Sequence, residues 1–261
     1  MVYLAARSRA GSSKVKLALL ADLHSNLEAV TACLAHAREQ HAERFAFLGD
    51  LVGYNADPAA VVDLVREYAA RGAWVVMGNH DAAVAGEATG YMNPPAWQAI
   101  LWTRSQLAED QVAFLAGLPL TAREGSCFLV HASAARPERW PYLHDSVQVA
   151  ASMAAVDDAY TFCGHVHEPM LHYLGADGRP QPFAPSAGVP IPVGPHRRWL
   201  AIVGSCGQPR DGSPAACYAL FDDERVQLTY HRVPYDHDAA ARKVLAAGLP
   251  EEFVRRLQTG M

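Results

Sequence analysis

The sequence predicts an α/β fold, a four-layer α-β-β-α sandwich in which two packed mixed sheets are flanked by helices. In the first half, short apolar runs alternate with helical patterns, which is typical of β-α-β units and a mainly parallel sheet. The second half adds further apolar runs, enough for a second sheet. With 261 residues of which 51% are hydrophobic, the chain can fill a substantial core. No linker or repeat divides it, so we expect one domain over residues 14–261.

The elements of the first half are predicted from their periodicity. Strands are expected at the apolar runs "VKLALLA", "RFAFL" and "AWVVM", each of which has the length of a buried strand. Helices are expected at "NLEAVTACLAHAREQ" and "PAAVVDLVREYAARG", between those runs. Ser25 and Glu28 have the S-x-x-E spacing of a capping box, which predicts that the first helix begins at Ser25.

The second half begins with a helical insert at about 94–118, in which Trp97 and Trp102 are expected to be core residues rather than a base-stacking platform. Strands are then predicted at "CFLV", "AYTFC", "WLAIV", "CYALF" and the alternating "RVQLTYHRV". A charged helix pair at 238–257 completes the pattern. Residues 1–13 lack an apolar stretch long enough for a signal peptide, and we interpret them as a mobile tail.

Charge and cysteine content narrow the partners and the compartment. The net charge is −5 with both signs interspersed, so no basic block is present to hold long nucleic acid. The five cysteines include no C-x-x-C pair, which argues against a disulfide framework or a zinc knuckle. No run approaches the roughly 18 apolar residues of a membrane span. We therefore expect a cytoplasmic protein without membrane contact, and the sequence leaves its oligomeric state open.

Polar residues follow five of the apolar runs, at the point where each predicted strand ends. These residues are Asp22-Leu23-His24, Gly49-Asp50, Gly78-Asn79-His80-Asp81, His131 and Gly164-His165-Val166-His167. Each signal is weak alone, because a strand-end aspartate such as Asp50 can equally be the N-cap of the next helix. Together they are strong, because the carboxyl ends of parallel strands meet at one edge of a sheet. The remaining seven histidines follow no such pattern and are interpreted as structural.

The residue types at these ends predict a metal-dependent hydrolase. The candidate ligands are Asp22, His24, Asp50, Asn79, His131, His165 and His167. Oxygens and imidazoles without thiolate suit Mn²⁺, Fe²⁺ or Zn²⁺. Seven ligands are too many for one zinc ion, whereas two ions about 3.5–4 Å apart that share a carboxylate would use them all. Such a pair activates a water for attack on a phosphate ester. His80 is predicted as the acid that faces the leaving group, with Asp81 orienting its ring.

In this order, the strand-end motifs resemble those of the calcineurin-like metallophosphoesterase superfamily. The stretches "DLHSNLEAV", "GDLVGYNADP" and "VGSCGQPRDG" are most similar to its compact bacterial branch of phosphodiesterases and phosphatases related to diadenosine tetraphosphatase. The resemblance implies a two-sheet sandwich and a dinuclear centre, with manganese as the leading candidate metal. It implies that Asp22, His24 and His167 hold the first ion, that Asn79, His131 and His165 hold the second, and that Asp50 bridges them.

Candidate substrate contacts are less specific. Gln208 and Arg210 in the loop 204–211, together with Asn26 and Tyr54, could contact substrate or serve only structure. The expected substrate is a small phosphoester or nucleotide. A catalytically silent metal-binding interaction scaffold of the same fold is the alternative, although it would require missing ligands. A metal-dependent amidohydrolase is disfavoured because its H-x-H comes first, whereas here D-x-H comes first and H-x-H last.

Overall fold

The structure is a computed structural model that describes residues 15–87 and 92–261. The predicted tail, residues 1–13, lies outside the described residues. The strands are β1 Lys16–Leu20, β2 Arg44–Phe47, β3 Trp74–Val75, β4 Thr121–Glu124, β5 Cys127–Val130, β6 Tyr160–Cys163, β7 Met170–Leu174, β8 Pro180–Phe183, β9 Ile191–Pro192, β10 Trp199–Ile202, β11 Ala216–Asp222 and β12 Gln227–Val233. The helices are α1 Leu27–Glu39, α2 Pro58–Ala70, α3 Asn79–Ala85, α4 Pro94–Gln106, α5 Glu109–Ala116, α6 Ser146–Ala154, α7 His237–Ala246 and α8 Glu251–Thr259, with a 3-10 turn at Pro137–Arg139.

The strands form two mixed sheets of six strands each, as the sequence predicts. The first sheet has the order β3-β2-β1-β11-β12-β9, and its β1, β2 and β3 are parallel. The second has the order β4-β5-β6-β10-β7-β8, and its β5, β6 and β10 are parallel. The remaining pairings are antiparallel. The parallel strands of both sheets are those that precede the polar strand-end residues, apart from β10.

Alternation along β1 shows how the layers pack. Leu17 and Leu19 face the core between the two sheets, where they join residues of the second sheet such as Phe162. Ala18 and Leu20 point the other way, into the core beneath α1 and α2. Successive side chains of a strand point to opposite faces, so a strand covered on both faces is apolar throughout. The second sheet buries its other face under α6, where Val149 packs. The four-layer sandwich is therefore confirmed.

Several local features differ from the sequence prediction. The short strands β4, β7, β8 and β9 were not predicted. β4 is polar, β8 with "PQPF" is rich in proline, and β9 has only two residues, whereas β7 with "MLHYL" has an apolar pattern that the prediction passed over. The insert at 94–118 consists of two helices, α4 and α5. The N-cap of α1 is Asn26, whose Oδ1 accepts the Ala29 N–H at 3.1 Å, so the capping box at Ser25 is wrong. Trp102 packs against a core cluster, whereas Trp97 is 49% exposed, so the core prediction fails for Trp97.

All five cysteines are buried free thiols, in agreement with the absence of a disulfide framework. Within residues 15–87 and 92–261, the longest helices fall short of the length and apolar character that a bilayer span requires.

The carboxyl ends of β2 and β3 approach each other so closely that a glycine is needed between them. A Cβ atom added to Gly78 would lie 2.1 Å from the backbone nitrogen of Asp50 and 2.2 Å from its Oδ1. Gly49, on the facing loop, adopts a φ of +85°, which glycine reaches without steric strain. Both glycines allow the loop that carries Asp50 to pack against the loop that carries Asn79.

Gly78→Ala is expected to lower the free energy of unfolding by about 2–3 kcal/mol, because the methyl group meets a backbone atom that cannot move aside. Gly117→Ala is the matched control, since the added Cβ would lie 3.4 Å from its nearest neighbour and its φ is −87°. That control should stay within about 0.5 kcal/mol of the parent. Denaturant unfolding measures both. Equal effects of the two substitutions would contradict the close approach at Gly78.

Candidate metal centre

Side chains from the five strand ends converge in a buried cluster at the carboxyl ends of strands from both sheets. Their potential ligand atoms form three overlapping groups, and within each group all atoms lie within 4.8 Å of one another. The groups are Asp22, His24 and His167; His24, Asp50 and His80; and Asp50, His131 and His165. Every member is buried. The convergence expected from the strand ends is therefore present in the structure.

The first group is compact. The Nε2 atoms of His24 and His167 lie 3.1 Å apart. Asp22 Oδ1 lies 3.4 Å from Nε2 of His167 and 4.0 Å from Nε2 of His24. Atoms that bind one ion at about 2.0–2.2 Å are separated by distances of this size. These three side chains could hold one divalent ion.

The second group shares a carboxylate with the first. His131 Nε2 lies 3.1 Å from His165 Nδ1. Asp50 Oδ2 lies 3.4 Å from Nε2 of His131 and 3.6 Å from Nε2 of His24, so it stands between the two groups. This is the position that a bridging carboxylate requires. That Asp50 does bridge two ions stays a prediction.

Backbone carbonyls fix the tautomers of three imidazoles. Nδ1 of His24, His131 and His167 each contacts a main-chain carbonyl oxygen. The acceptors are Val52 at 3.0 Å, Leu48 at 2.8 Å and Gln208 at 2.6 Å. Because a carbonyl only accepts, each Nδ1 carries a hydrogen, and the neutral rings of His24 and His167 turn their Nε2 lone pairs toward the cluster. Two lone pairs 3.1 Å apart, as on His24 and His167, repel each other unless a cation lies between them. The donor set therefore fits a metal ion.

Burial and charge set the protonation states. Burial holds the pKa of His24, His165 and His167 well below the usual value, so these rings are neutral, the form in which imidazole binds metal. Burial raises the pKa of Asp22 to about 7. Burial also disfavours the charged forms of His131 and Asp50, but their mutual attraction prevails. It raises the pKa of His131 to about 9 and lowers that of Asp50.

Asn79 supplies a buried oxygen next to these groups in the chain. It begins α3 directly after Gly78, and its Oδ1 is buried without a hydrogen-bond partner. A buried acceptor left unpaired is costly, by about 1–3 kcal/mol. A cation would satisfy this oxygen. The role of Asn79 as a ligand stays a prediction that this geometry favours.

The predicted ligands have an unusual backbone conformation. Five of them adopt positive φ, namely Asp22 at 53°, His24 at 45°, Asp50 at 52°, His165 at 69° and His167 at 67°. For residues other than glycine this left-handed region is unfavourable by roughly 1–2 kcal/mol each. Such strain persists only where surrounding contacts impose it, and it clusters at functional sites. The strained backbone is a second mark of function at the same residues.

His80 lies beside the cluster. Its ring centroid is 4.8 Å from that of His24, and its backbone N–H donates to Asp50 Oδ1 at 2.8 Å. Burial lowers the pKa of His80 to about 4, so the ring is neutral near pH 7. Its Nδ1 is buried without a partner. The neutral ring can donate one hydrogen bond but does not carry the positive charge of an imidazolium.

The hydrogen bonds of Asp81 go to backbone amides, and its role in orienting the His80 ring stays a prediction. Its Oδ1 accepts the N–H groups of Leu51 at 2.9 Å and Val52 at 3.2 Å, and its Oδ2 accepts that of Gly78 at 2.9 Å. Both oxygens are thus committed to backbone amides. Asp81 ties the loop that carries Asp50 to the start of α3.

The predicted substrate contacts differ in what surrounds them. Asn26 is buried, and its Nδ2 donates to Gly207 O at 2.8 Å and to Tyr235 Oη at 3.1 Å, so its amide already serves structure. The Tyr54 ring packs 4.5 Å from the rings of both His24 and His80. For both residues, contact with substrate stays a prediction.

Gln208 and Arg210 lie against each other. Gln208 is buried, and its Oε1 accepts a hydrogen bond from Arg210 Nη2 at 3.1 Å. The charge of Arg210 contributes to lowering the pKa of His167, which places the guanidinium within electrostatic reach of the cluster. Their contacts with substrate also stay predictions.

Two residues near the cluster were missed by sequence reasoning. Tyr142 stacks on His165 with centroids 4.0 Å apart, and the Arg256 guanidinium lies 5.8 Å from the Tyr54 ring centroid. Neither residue follows an apolar run, so the strand-end pattern could not find them.

Comparisons with known proteins agree with this geometry. The family model of the calcineurin-like phosphoesterase superfamily domain matches residues 15–225. An uncharacterized protein of Methanocaldococcus jannaschii is 33% identical, over 95% of this chain and 99% of its own length.

Solved structures extend the comparison. A metallophosphoesterase from Sphaerobacter thermophilus is 34% identical, with a TM-score of 0.84 over 95% of this chain and 100% of that one. A hypothetical protein from Pyrococcus horikoshii OT3 shares the fold, with 21% identity and a TM-score of 0.78 over 95% of this chain and 99% of that one. The family match covers the strand ends and the buried histidine and aspartate groups. The chain therefore belongs to the calcineurin-like phosphoesterase superfamily, a family of hydrolases, and carries candidate metal-binding residues at the expected strand ends.

Proposed function

We propose that this protein hydrolyses small phosphoesters, as a phosphodiesterase or phosphatase, at a centre of two divalent metal ions. The position of Asp50 Oδ2, 3.4 Å from His131 Nε2 and 3.6 Å from His24 Nε2, is the observation that carries the proposal. One carboxylate oxygen between two sets of ligand atoms is the arrangement that a pair of ions needs. Mn²⁺ is the leading candidate, followed by Fe²⁺ and Zn²⁺, because the donors are oxygen and imidazole nitrogen.

The proposed ligand assignment follows the two groups. Asp22, His24 and His167 would hold one ion; Asn79, His131 and His165 would hold the other; Asp50 would serve both. When bound, such ions lower the pKa of a coordinated water and offset the charge of the phosphoryl oxygens.

His80 is proposed to assist the leaving group. It stands next to Asn79 in the chain, and its ring packs edge-on against that of His24. Because burial lowers its pKa to about 4, the neutral ring would act as a hydrogen-bond donor to the oxygen on which charge develops. A His80 nitrogen also lies within 4.8 Å of ligand atoms of His24 and Asp50, so direct metal binding is the competing role.

A small substrate is supported by charge. The chain has a net charge of −5, which provides little attraction for a long polyanion. The alternative function, a silent interaction scaffold, would need a missing ligand, and all seven predicted ligand residues are present. Five buried free thiols suit a reducing compartment, which supports a cytoplasmic location.

The metal proposal predicts about two ions per chain by elemental analysis, loss of hydrolysis on chelation, and recovery with Mn²⁺. Asp50→Asn should reduce the bound metal and lower kcat by more than about 100-fold, beyond the range for outer-shell partners. Asp63→Asn removes a 59% exposed carboxylate and serves as the control. One tightly bound ion with full activity, or an Asp50→Asn variant with normal metal content and rate, would overturn the dinuclear proposal.

His80→Ala is expected to leave metal content unchanged and to lower kcat by about 10²- to 10⁴-fold. The deficit should be smaller for nitrophenyl esters than for nucleotides, because nitrophenolate departs readily without a donated hydrogen. Metal analysis and kcat on both ester types test this. Loss of metal would make His80 a ligand, and equal deficits on both esters would rule against a role at the leaving group.

Asp81→Asn should behave differently from His80→Ala. The NH₂ group of the introduced asparagine would replace a carboxylate oxygen and would face a backbone N–H that then lacks an acceptor. The free energy of unfolding should therefore fall by about 1–3 kcal/mol. Since the hydrogen bonds of Asp81 hold loops together, kcat should fall by the same factor on both ester types. A deficit confined to nucleotide esters would support the ring-orienting role instead.

A further inference from the structure

Two arginines lie beside the cluster, on the side covered by Tyr54. The Cζ atoms of Arg210 and Arg256 are 5.5 Å and 5.8 Å from the Tyr54 ring centroid. That ring in turn packs 4.5 Å from the rings of His24 and His80. Both guanidinium groups therefore lie next to an aromatic ring that packs on two residues of the cluster.

Arg210 has no direct ion pair among the described residues. Its Nη2 donates to the neutral amide oxygen of Gln208 at 3.1 Å, and its Nε is buried without a hydrogen-bond partner. Among residues 15–87 and 92–261, no carboxylate oxygen lies within 4.0 Å of its nitrogen atoms. A buried guanidinium nitrogen without an acceptor is unfavourable, and an anionic oxygen would satisfy it.

Arg256 adds a second positive charge next to the first. It has one carboxylate partner, Glu252, with Nη2 and Oε1 3.4 Å apart. Burial lowers the pKa of Arg256, and repulsion from Arg210 lowers it further, so the two cations lie close enough to interact. An anion bound at both guanidinium groups would relieve this repulsion.

The position of Arg256 is set by the C-terminal helix pair. Helix α8 buries Phe253 and Leu257, and the Phe253 ring packs 5.0 Å from that of Tyr54. This helix lies beyond residues 15–225, which the family model matches. The C-terminal segment thus brings to the site a cation that the matched domain lacks.

We propose that Arg210 and Arg256 together bind a second phosphate group of the substrate, located on the part of the molecule that is not hydrolysed. Guanidinium groups match phosphate oxygens in charge and in fork geometry. This proposal rests on the proposed phosphoesterase function and narrows its substrate class, from small phosphoesters in general to those that carry an additional phosphate.

The first test compares two esters with the same leaving group. Thymidine 5′-(4-nitrophenyl phosphate) is assayed with a free 3′-hydroxyl and with a 3′-phosphate, using Mn²⁺-loaded protein. We expect kcat/KM to be at least about tenfold higher for the 3′-phosphorylated ester, which corresponds to about 1.4 kcal/mol. Arg256→Gln and Arg210→Gln should bring this ratio close to one. Arg255→Gln removes the same charge from an exposed neighbour on α8 and should keep the ratio.

The second test measures binding without turnover. Isothermal titration calorimetry compares thymidine 3′,5′-bisphosphate with thymidine 5′-phosphate on the same metal-loaded proteins, each carrying His80→Ala to slow any hydrolysis of these monoesters. A Kd about tenfold lower for the bisphosphate, lost in Arg256→Gln and kept in Arg255→Gln, would support the second phosphate site.

The two tests separate this inference from the proposed function. Normal hydrolysis of both esters with equal kcat/KM and equal Kd values would overturn the second phosphate site and leave the phosphoesterase proposal intact. Tight, arginine-dependent binding of the bisphosphate without hydrolysis of either ester would support the site and overturn the phosphoesterase. If the Arg256→Gln variant still preferred the 3′-phosphorylated ester, the site as proposed would also be overturned.

Discussion

Hydrogen bonds from backbone amides of one loop to a buried carboxylate of another hold the cluster together. Asp22 accepts the His165 N–H at 2.9 Å, and Asp50 accepts the His80 N–H at 2.8 Å. Asp81 accepts three amides, two from the Asp50 loop and one from Gly78. Bonds to a charged acceptor in a buried place are stronger than those between neutral groups. They join loops from both sheets and hold left-handed backbone that would otherwise relax.

The same cluster combines groups that are unfavourable to bury. Carboxylates and imidazoles lose hydration when they are enclosed, and the loss is offset only where partners are well placed. In this cluster the loss of hydration is only partly offset. His131 and Asp50 attract each other, but the Nε2 atoms of His24 and His167 face each other at 3.1 Å without such an attraction. A bound cation would complete the compensation. The buried side chains of the cluster are therefore unfavourable on their own, and the same arrangement makes the cluster a favourable site for a positive charge.

A site residue can be predicted from the sequence only where its position in a local sequence pattern marks it. Asp22, His24 and Asp50 directly follow apolar runs, and parallel strand ends must converge, so their proximity could be predicted. Two of the three partners of Asp81 could not, because they are backbone amides about 30 residues away and an amide has no side-chain signature. Arg256 reaches the site only through the packing of α8 on Tyr54, a tertiary contact without local pattern. The proline-rich β8 escaped prediction for a local reason, because proline is depleted in typical strands.

The two oxygens of Asp50 have separate tasks, and this division links the ion site to the start of α3. Oδ1 accepts the amide of His80, whereas Oδ2 lies between the two imidazole groups. Any cation that draws on Oδ2 also alters the carboxylate that anchors this helix. The His80 amide is therefore coupled to the ion site through Asp50, and its hydrogen-exchange rate would report a change there. Measuring the exchange of this one amide could therefore follow ion binding in the absence of substrate. The measurement would work even for a metal ion that gives no spectroscopic signal.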